Sequence, residues 1–454
     1  MSDFYRPPAP VPMTSTAQVV MKGLFSFDND LIKLLSEDTY GRYMIRAPFT
    51  RTPTYVVNCP KTISRVMKSE VDNFPKCDLT TAALDGLVGD SIFTVSGDVW
   101  KRQHRMINQV FAKLKLRDVF EEMRSAVVES LDRIEARVGQ TLSLDAEMAN
   151  VTADVIFRTM FSRPIGDSEA KLIFEEFASY QDDLPHTTLW SLLTSTTHNR
   201  KTLPKAALRA AGRIREVILK LLTERRSGAV RHDDICQIIA DCRDPIDGTP
   251  FTDKEAVDQI AFFFLAGHET SASALTWAFI CLSGDKSVAD RVAAEAQAVT
   301  PGDFIGYSDR GQLHVTRAVF REALRLYPPV AFFSRRAIAP AKLRSFEIAP
   351  DSLIVISPWI VQRHRKFWQY PEQFVPDRFL SDDFGQPLPG TWLPFGFGPR
   401  VCTGAAFATM EAELILSEIC RRYHLKVEKP ENIRAASRLT VKPRGQVPVL
   451  VERR

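Results

Sequence analysis

Apolar residues recur along most of the chain at the three- and four-residue spacing of amphipathic α-helices. This spacing predicts helices over residues 100–138, 145–161, 168–180, 204–226 and 252–283. Short runs rich in β-branched residues predict strands at residues 55–57, 353–356 and 447–451. The pattern therefore indicates a mainly α fold with a smaller β region.

The longest predicted helix can be delimited from its ends. Thr252 and Glu255 have the spacing of a capping box, in which each side chain satisfies a free backbone N–H group of the other. Gly284 can supply the left-handed residue that ends a helix. The 31 residues between these ends would form about 46 Å of helix. Because His268 and Glu269 lie at its centre, where lipid penalises polar groups, we expect a buried helix and no membrane span.

The composition is that of a folded soluble protein. Hydrophobic residues make up 45% and charged residues 25% of the 454 positions, which are ordinary values. The 59 Lys and Arg nearly balance the 55 Asp and Glu, so the net charge of +4 does not indicate nucleic-acid binding. The seven cysteines contain no Cys-x-x-Cys pair, which argues against a disulfide framework or a zinc ribbon and favours a reducing, cytoplasmic location.

The domain organisation is expected to be simple. Four prolines within the first 12 residues predict an extended N-terminal tail over residues 1–24. Beyond it, no Gly/Ser-rich linker, low-complexity block or repeat divides the chain. Residues 25–454 are therefore expected to form one large domain.

The segment LPFGFGPRVCTG, from Leu393 to Gly404, combines glycines and prolines in a tight loop, and a helical pattern follows over residues 405–422. Cys402 therefore lies at a helix N-terminus, where unpaired N–H groups and the helix dipole favour an anion. Arg400 adds a positive charge two residues away, and the glycines let backbone N–H groups approach the sulfur. These features lower the pKa of a thiol and predict a thiolate.

A lone thiolate without a partner cysteine suits an axial ligand of haem iron. Two other interpretations stay open from the residues alone. A buried structural cysteine is the commonest fate of a free cysteine, although it would not require this loop. A thiol nucleophile would need a base and an orienting group, and no sequence signature points to either.

Five residues of the loop follow the spacing F-x-x-G-x-R-x-C-x-G: Phe395, Gly398, Arg400, Cys402 and Gly404. This spacing resembles the haem-binding signature of the haem-thiolate monooxygenases, the cytochrome P450 family. A chance match is expected in about one such chain in 10⁴. The resemblance extends from roughly residue 25 to the end of the chain. It implies a soluble, bacterial-type member with the cytochrome P450 fold, one large haem-binding domain around a long central helix.

Two further segments resemble the segments that support the cysteine loop in this family. Glu322 and Arg325 share a helix face, and Arg378 lies in a Pro-Asp-Arg-Phe segment 24 residues before Cys402. Taken alone, Glu322 and Arg325 predict only a surface ion pair. The resemblance implies a buried Glu322–Arg325–Arg378 network, in which loss of one member costs about 3–5 kcal/mol.

The centre of the long helix reads Ala266-Gly267-His268-Glu269-Thr270, which resembles the oxygen-activating motif of the family. Ala266 and Gly267 would leave room for dioxygen and substrate. The Thr270 hydroxyl would bond to a carbonyl one turn earlier. The resemblance implies that Glu269 and Thr270 manage protons, whereas the residues alone are as typical of a buried helix that tolerates polar groups.

The resemblance also implies contacts to the haem propionates from Trp100, Arg335 and Arg400, since the arginine fork suits carboxylates. The family commonly has Trp-x-x-x-Arg, but here the fourth residue is His104 and Arg105 follows it. Either of the two could make the contact. Taken alone, these arginines would be surface charges.

Charge predicts the electron donor, and aromatic content predicts the kind of substrate. Six Lys or Arg and no acidic residue lie between Lys101 and Arg117, on a helix that the family places on the proximal face. This implies a ferredoxin-type or flavodoxin-type electron donor with its reductase, and a solvated helix face is the alternative. Phe-rich segments predict a small apolar substrate: Phe74–Phe93, 180–205, Phe262–Phe264, Val330–Phe333 and Ala435–Thr440.

We therefore expect a haem-thiolate monooxygenase that uses haem b (iron protoporphyrin IX) and O₂. Cys402 would bind the iron, and Ala266 and Phe395 would line the cofactor site. A peroxide-using peroxygenase or isomerase and a non-catalytic haem-binding sensor or carrier are the alternatives. Both would have little use for the pair formed by Glu269 and Thr270.

Overall fold

The structure, a computed structural model, describes residues 4–15, 18–19, 30–48, 50–77, 81–184, 203–228 and 231–454. Its α-helices are α1 (Pro60–Ser64), α2 (Asp85–Val88), α3 (Gly97–Lys113), α4 (Leu116–Glu135), α5 (Leu144–Phe161), α6 (Ser168–Asp183), α7 (Lys205–Ser227), α8 (Ile235–Asp241), α9 (Asp253–Gly284), α10 (Lys286–Val299), α11 (His314–Leu326), α12 (Pro358–Val361) and α13 (Ala405–Arg422). Helix α1 continues into a π-helical turn over Arg65–Ser69. Turns of 3₁₀ helix occupy Leu31–Leu34, Glu37–Tyr40, Asp309–Gln312, Pro376–Phe379, Asp382–Phe384, Gly398–Arg400 and Pro430–Asn432.

The strands are short and form small sheets. They are β1 (Met44–Arg46), β2 (Thr54–Val57), β3 (Thr141–Ser143), β4 (Phe333–Arg336), β5 (Ala341–Leu343), β6 (Phe346–Ile348), β7 (Leu353–Ile356), β8 (Tyr423–Val427), β9 (Ala435–Ser437), β10 (Val441–Pro443) and β11 (Pro448–Arg453). The larger sheets have the orders β1-β2-β7-β4 and β3-β11-β8, and β5-β6 and β9-β10 form hairpins. Strands β2 and β7 pair in parallel. The strands predicted at residues 55–57, 353–356 and 447–451 are confirmed as β2, β7 and β11.

Helix α9 is the predicted long helix, and its 32 residues span about 48 Å. The capping box is confirmed, because the side chains of Thr252 and Glu255 each accept the other's backbone N–H. The expected role of Gly284 is wrong, since this residue is the last in the helix and has no left-handed backbone. It serves packing instead: a Cβ at Gly284 would lie 2.0 Å from Cζ of Tyr5.

Residues 100–138 form two helices, α3 and α4, where the sequence predicts one. Leu114 and Lys115 adopt extended backbone between them. Neither Gly nor Pro marks this break, and the Leu114 side chain is buried in the core. The other predicted helices are confirmed as α5, α6, α7 and α9, with ends within three residues of the expected positions.

The described part of the N-terminal tail lies on the domain surface and is anchored there. The backbone N–H of Phe374 donates to the carbonyl oxygen of Tyr5 at 2.8 Å, and the Tyr327 hydroxyl donates to the carbonyl oxygen of Pro8 at 2.6 Å. Pro7 is buried. The expected boundary after residue 24 lies outside the described residues.

The main hydrophobic core surrounds α9, which packs against α5, α7 and α11. A second core lies at the four-stranded sheet and includes Val57, Ile354 and Leu393. Because Leu393 belongs to the second core and Phe395 packs against the first, the loop before α13 lies where the two meet. Within the described part of the chain, no helix combines the length and the apolar character that a membrane span requires.

Candidate functional site

The loop that carries Cys402 is fixed by a backbone hydrogen bond and by two glycines. The Cys402 N–H donates to the carbonyl oxygen of Phe395 at 2.8 Å. Gly396 and Gly398 have φ angles of 78° and 74°, which favour glycine. A Cβ on Gly398 would lie 2.2 Å from the carbonyl oxygen of Met67. Only glycine therefore lets this loop pack against the π-helical turn after α1.

Cys402 is the one exposed cysteine of the seven, all of which lie among the described residues. It is nevertheless surrounded closely enough that burial raises the pKa of its thiol, while a hydrogen bond from the Gly404 N–H lowers it. The sulfur is therefore accessible although protein atoms surround it closely. The expected lowering of this pKa is wrong, because desolvation outweighs the Gly404 hydrogen bond. A metal cation deprotonates a coordinating thiol outright, so a bound iron would hold Cys402 as a thiolate.

Three cationic side chains approach each other: Lys76, Arg335 and Arg400. Burial lowers the pKa of Arg335 and of Arg400 to about 10. Burial also lowers the pKa of Lys76 far below its usual range, with the two arginine charges adding to the effect. The Nε atoms of both arginines are buried without a hydrogen-bond partner in the described structure. Donors left in this way are ready for an anionic ligand.

Trp100 and His104 belong to the same cluster, whereas Arg105 does not. The ring of His104 stacks on Trp100 at a centroid distance of 4.7 Å, and the Arg400 guanidinium lies 4.5 Å from the Trp100 ring. Burial and the charge of Arg400 lower the pKa of His104. The Nη2 atom of Arg105 lies 2.9 Å from Oδ2 of Asp244, so this arginine is already paired. The geometry favours His104 over Arg105 as the polar partner of Trp100.

Thr270 and Ala266 have the relationship that the sequence predicts. The Thr270 hydroxyl donates to the carbonyl oxygen of Ala266 at 2.6 Å, which is the back-bond that loosens a helix. Gly267 also serves helix packing. A Cβ on Gly267 would lie 2.7 Å from Cδ1 of Ile156, so this glycine lets α5 approach α9, and the expected space for dioxygen and substrate stays a prediction.

Glu269 is buried, and both of its carboxylate oxygens are occupied. Thr440 donates its hydroxyl to Oε1 at 2.8 Å, and the Nζ of Lys442 lies 2.8 Å from Oε2. The carboxylate therefore faces the β9–β10 hairpin. The structure places Glu269 next to Thr270 along the helix but aims the two side chains at different partners.

The Glu322–Arg325–Arg378 network is confirmed as a buried cluster. Arg325 binds both oxygens of Glu322 at 2.8 Å, and the Nε of Arg378 lies 3.1 Å from Oε1 of Glu322. Arg325 also donates to the carbonyl oxygens of Gln362, Pro371 and Gln373. Because the side-chain carbonyl of Gln362 accepts the N–H of Leu393 at 2.6 Å, the network leads directly to the loop of Cys402.

The cytochrome P450 family model matches residues 17–449. The chain belongs to the cytochrome P450 family. It is 27% identical to the pentalenene oxygenase of Streptomyces avermitilis over 96% of this chain and 94% of that protein. The cyclooctat-9-en-7-ol 5-monooxygenase of Streptomyces melanosporofaciens is 28% identical over 75% of this chain and 73% of that protein. The crystal structure of the cytochrome P450DA haem domain matches with a TM-score of 0.80 at 20% identity, covering 100% and 99% of the two chains. The predicted family and fold class are therefore confirmed.

The residues of this P450 fit a haem. An accessible thiol closely surrounded by protein atoms and buried guanidinium groups with unpaired Nε atoms match a porphyrin that offers an iron to a thiolate and two carboxylates to cations. The individual contacts of Trp100, His104, Arg335, Arg400 and Cys402 with the cofactor stay predictions.

Sequence reasoning missed Lys76. This residue forms an isolated antiparallel bridge with Arg335, and its Nζ lies 3.9 Å from the Phe93 ring and donates to the Phe93 carbonyl oxygen. Nothing around Lys76 in the sequence distinguishes it from a surface lysine. Its role follows only from the fold, which brings it to Arg335 and Arg400.

Some of the cations between Lys101 and Arg117 form ion pairs within the protein, and others are exposed. Arg102 pairs with Glu255 at 2.7 Å, and Arg105 pairs with Asp244. Lys113, Lys115 and Arg117 are exposed. The expected docking face is therefore smaller than the sequence suggests, since two of its six cations hold α3 to neighbouring segments.

The Phe-rich segments are also divided between core and pocket. Phe74 lies in the second core, and Phe264 packs against Phe157 and Phe177. Phe262 is only partly buried and stacks on Phe93 at 5.3 Å. Residues 185–202, which include much of the expected substrate segment, lie outside the described residues. The aromatic evidence for an apolar substrate therefore rests mainly on the Phe93–Phe262 pair.

Proposed function

We propose that this P450 is a haem-thiolate monooxygenase that inserts one atom of O₂ into an unactivated C–H bond of a small, mainly apolar organic molecule. The other oxygen atom leaves as water. The observation that carries the proposal is the glycine-built loop that leaves the Cys402 thiol accessible just before α13. Relatives named as an oxygenase and a monooxygenase support the same reaction class.

Each site residue has a role that its surroundings support. Cys402 would bind the iron, and Trp100, His104, Arg335 and Arg400 would hold the propionates of haem b. When bound, the haem supplies the iron at which dioxygen is activated. Ala266 and Phe395 would line the cofactor site. Thr270 would offer its hydroxyl for proton transfer, and the Glu269 carboxylate would supply a negative charge next to it.

Electrons come from a redox partner, as cytochrome P450s require. For this chain we propose a ferredoxin-type or flavodoxin-type donor with its reductase, which would dock on the exposed cations Lys113, Lys115 and Arg117. Acidic donors are steered by such a face, and the attraction weakens as salt rises.

The proposal also covers the domain, its location and the kind of substrate. Residues 25–454 would act as one haem-binding domain in the cytoplasm. The substrate would be apolar, since Phe93 and Phe262 offer stacked aromatic surface. A search for it begins with pentalenene, the hydrocarbon in the name of the S. avermitilis relative. Binding would be read from the change in the haem spectrum.

The proposal is tested by the spectrum of the reduced protein with carbon monoxide. The wild type should show the red-shifted Soret band of thiolate-ligated haem, and Cys402→Ser should lose that band. Cys420→Ser is the matched control, because Cys420 is buried elsewhere on α13. A wild-type spectrum without the shifted band, or one that Cys402→Ser leaves intact, would disprove thiolate ligation by Cys402.

A second measurement separates the monooxygenase from a peroxide-using enzyme. Thr270→Ala should divert electrons from product to hydrogen peroxide, because the hydroxyl beside Ala266 is lost. A peroxide-using enzyme would be unaffected by the same change.

A further inference from the structure

Asp258 of α9 is a fully buried acid whose carboxylate joins three parts of the fold. Its side chain is 0% exposed, and its Oδ1 lies 2.6 Å from Nη2 of Arg215 on α7. Its Oδ2 accepts the backbone N–H of Asp90 at 2.9 Å, and the Nζ of Lys254 lies 3.3 Å from the same oxygen. The carboxylate therefore ties α7 and the segment after α2 to the N-terminal half of α9.

Arg215 also contacts α2 directly. Its Nη1 donates to the carbonyl oxygen of Leu87, the third residue of α2, at 2.8 Å. One guanidinium thus contacts α2 and α9 at once, in the forked geometry that arginine provides. The Arg215 side chain is 24% exposed, so water can replace these contacts when they break.

The segment after α2 fits closely against the buried carboxylate. Gly89 has a φ angle of 45°, and a Cβ at this position would lie 2.3 Å from Oδ1 of Asp258. The neighbouring Gln259 is buried as well, and its Oε1 accepts the N–H of Ile92 at 3.0 Å. Specific polar contacts therefore hold residues 89–92 on α9, and Asp258 makes the first of them.

The surface of α9 leads from Asp258 toward the motif around Thr270. Phe262, Ala266 and Thr270 follow the acid at intervals of four residues, which makes each the neighbour of the next along the helix surface. Phe93, which comes directly after the segment held by α9, stacks on Phe262 at 5.3 Å. The buried carboxylate therefore helps to hold an aromatic pair that lies one helical turn before Ala266.

A cavity of about 640 Å³ lies beside this ion pair. Its lining includes Arg215 and Asp258 at one side, the exposed Lys254, and Lys76 of the cation cluster. Small-molecule sites commonly have volumes of roughly 300–1,000 Å³, so the cavity is large enough for an organic ligand. The ion pair therefore stands in the wall of a space that leads from the surface toward the predicted haem.

We propose that Arg215 and Asp258 form a latch that controls the entry of bulky molecules to the space beside Thr270. While this latch is closed, α7 and the segment of Phe93 stay on α9. When it opens, they separate from α9. Both members are positioning residues, because they act through the Phe93 segment. The inference rests on the proposed function, which places a haem beside Thr270, and adds the control of access to it.

The physical basis is an equilibrium between closed and open forms. A ligand that needs the open form binds in proportion to the open fraction, whereas a ligand small enough to enter the closed form does not depend on it. Loss of a charge-assisted contact should raise the open fraction by about tenfold or more. The latch therefore predicts an effect that depends on the size of the ligand.

The first test compares two ligands that bind haem iron through the same imidazole nitrogen. Stopped-flow absorbance of the ferric holoprotein gives the association rates of 4-phenylimidazole, the bulky probe, and of imidazole, the small one. Arg215→Met should speed 4-phenylimidazole about tenfold or more and leave imidazole unchanged. Arg213→Met is the matched control, since this residue of α7 pairs with Glu176 of α6, and it should leave both rates unchanged. An unchanged 4-phenylimidazole rate in Arg215→Met, or equal acceleration of both probes, would overturn the inference.

A double variant separates a latch from an ion pair that only stabilises the fold. Arg215→Met deprives the buried Asp258 carboxylate of a cation and should lower the free energy of unfolding. Arg215→Met combined with Asp258→Asn removes both charges and should recover part of that loss, yet it should still admit 4-phenylimidazole faster than the wild type. A return to the wild-type rate would refute the latch. If Arg215→Met does not retain haem, the double variant replaces it in every measurement.

Hydrogen exchange tests the latch without any haem ligand. The backbone N–H groups of Asp90 and Ile92 should exchange faster in Arg215→Met than in the wild type, because the contacts that protect them open more often. Arg213→Met should leave their exchange unchanged. Wild-type exchange rates at these two amides in Arg215→Met would contradict the inference.

The carbon monoxide spectrum is recorded for every protein. A missing thiolate band in the wild type counts against the proposed function, and the exchange of Asp90 and Ile92 still decides whether the latch exists. A normal band with unchanged probe rates and unchanged exchange counts against the latch alone.

Discussion

The Nζ atom of Lys442 lies 2.8 Å from Oε2 of Glu269, and this ion pair joins the centre of α9 to the β9–β10 hairpin. The carboxylate is buried, whereas the lysine side chain is 35% exposed. The Val441 carbonyl oxygen beside it accepts bonds from Ser273 and Trp277 of the same helix. The hairpin is therefore held along one face of α9, next to the residues assigned to proton handling.

Lys442→Met should lower the free energy of unfolding by about 1–3 kcal/mol, because it leaves the buried Glu269 carboxylate without its cation. The double variant Lys442→Met, Glu269→Gln should recover part of the loss, since it removes the unpaired charge as well. Denaturant unfolding of the four proteins gives the coupling energy of this pair. Strictly additive effects would show that the ion pair does not contribute to stability.

Arg378→Met should destabilise the protein by about 3–5 kcal/mol, since it strands part of the buried charge of Glu322. The change should also reduce haem content, because the network leads through Gln362 to the Cys402 loop. Lys286→Met is the matched control. Its ion pair with Asp290 is exposed, and loss of such a pair costs about 0–1 kcal/mol. Equal effects of the two substitutions would contradict the assigned role.

His268 should make the protein sensitive to acid. Burial lowers its pKa to about 4, and its ring lies among Phe174, Phe177 and Phe264. The unfolded chain binds this proton near pH 6.5 and the folded chain only near pH 4, so stability falls as pH drops through that window. The loss from this group is about 3 kcal/mol.

The His268→Phe variant checks this prediction, because it keeps the aromatic packing and removes the titrating group. Its free energy of unfolding should change less between pH 6.5 and pH 4 than that of the wild type. Parallel pH profiles for the two proteins would exclude His268 as the source of the acid sensitivity.

Lys76→Met should have opposite effects on the two forms of the protein. Without haem, it removes repulsion between Lys76, Arg335 and Arg400 and should raise the free energy of unfolding by about 1 kcal/mol. With haem, it removes a cation near the predicted propionates and should speed loss of the cofactor. Haem transfer to apomyoglobin measures the second effect. If Lys76→Met slows this transfer, Lys76 does not hold the cofactor.

Charge reversal at Lys113 and Lys115 should slow reduction of the haem by an acidic ferredoxin, and the defect should shrink as ionic strength rises. Stopped-flow absorbance measures the rate. Reversal of Lys171 on α6 is a control, since this exposed lysine lies on a different helix. Unchanged reduction rates in the Lys113 and Lys115 variants would place the donor elsewhere on the surface.

The sequence by itself determined those features that depend on neighbouring residues. The capping box of Thr252 and Glu255 acts over three positions, and the turn around Gly396 and Gly398 requires glycine for local steric reasons. The Cys402 loop, the long helix and the bond from Thr270 to Ala266 were therefore predictable. Distant pairings such as Glu322 with Arg378 were predictable only through the resemblance to the family.

Tertiary structure decided which groups meet across long stretches of chain. Glu269 and Lys442 are 173 positions apart, and only the packing of the β9–β10 hairpin on α9 makes them partners. Packing also ended helix α3 at Leu114 and placed Gly267 against Ile156. Burial raised the pKa of Cys402, where the sequence predicted a lower value. Such outcomes depend on which atoms surround a side chain and how much water they exclude, and local sequence carries no record of either.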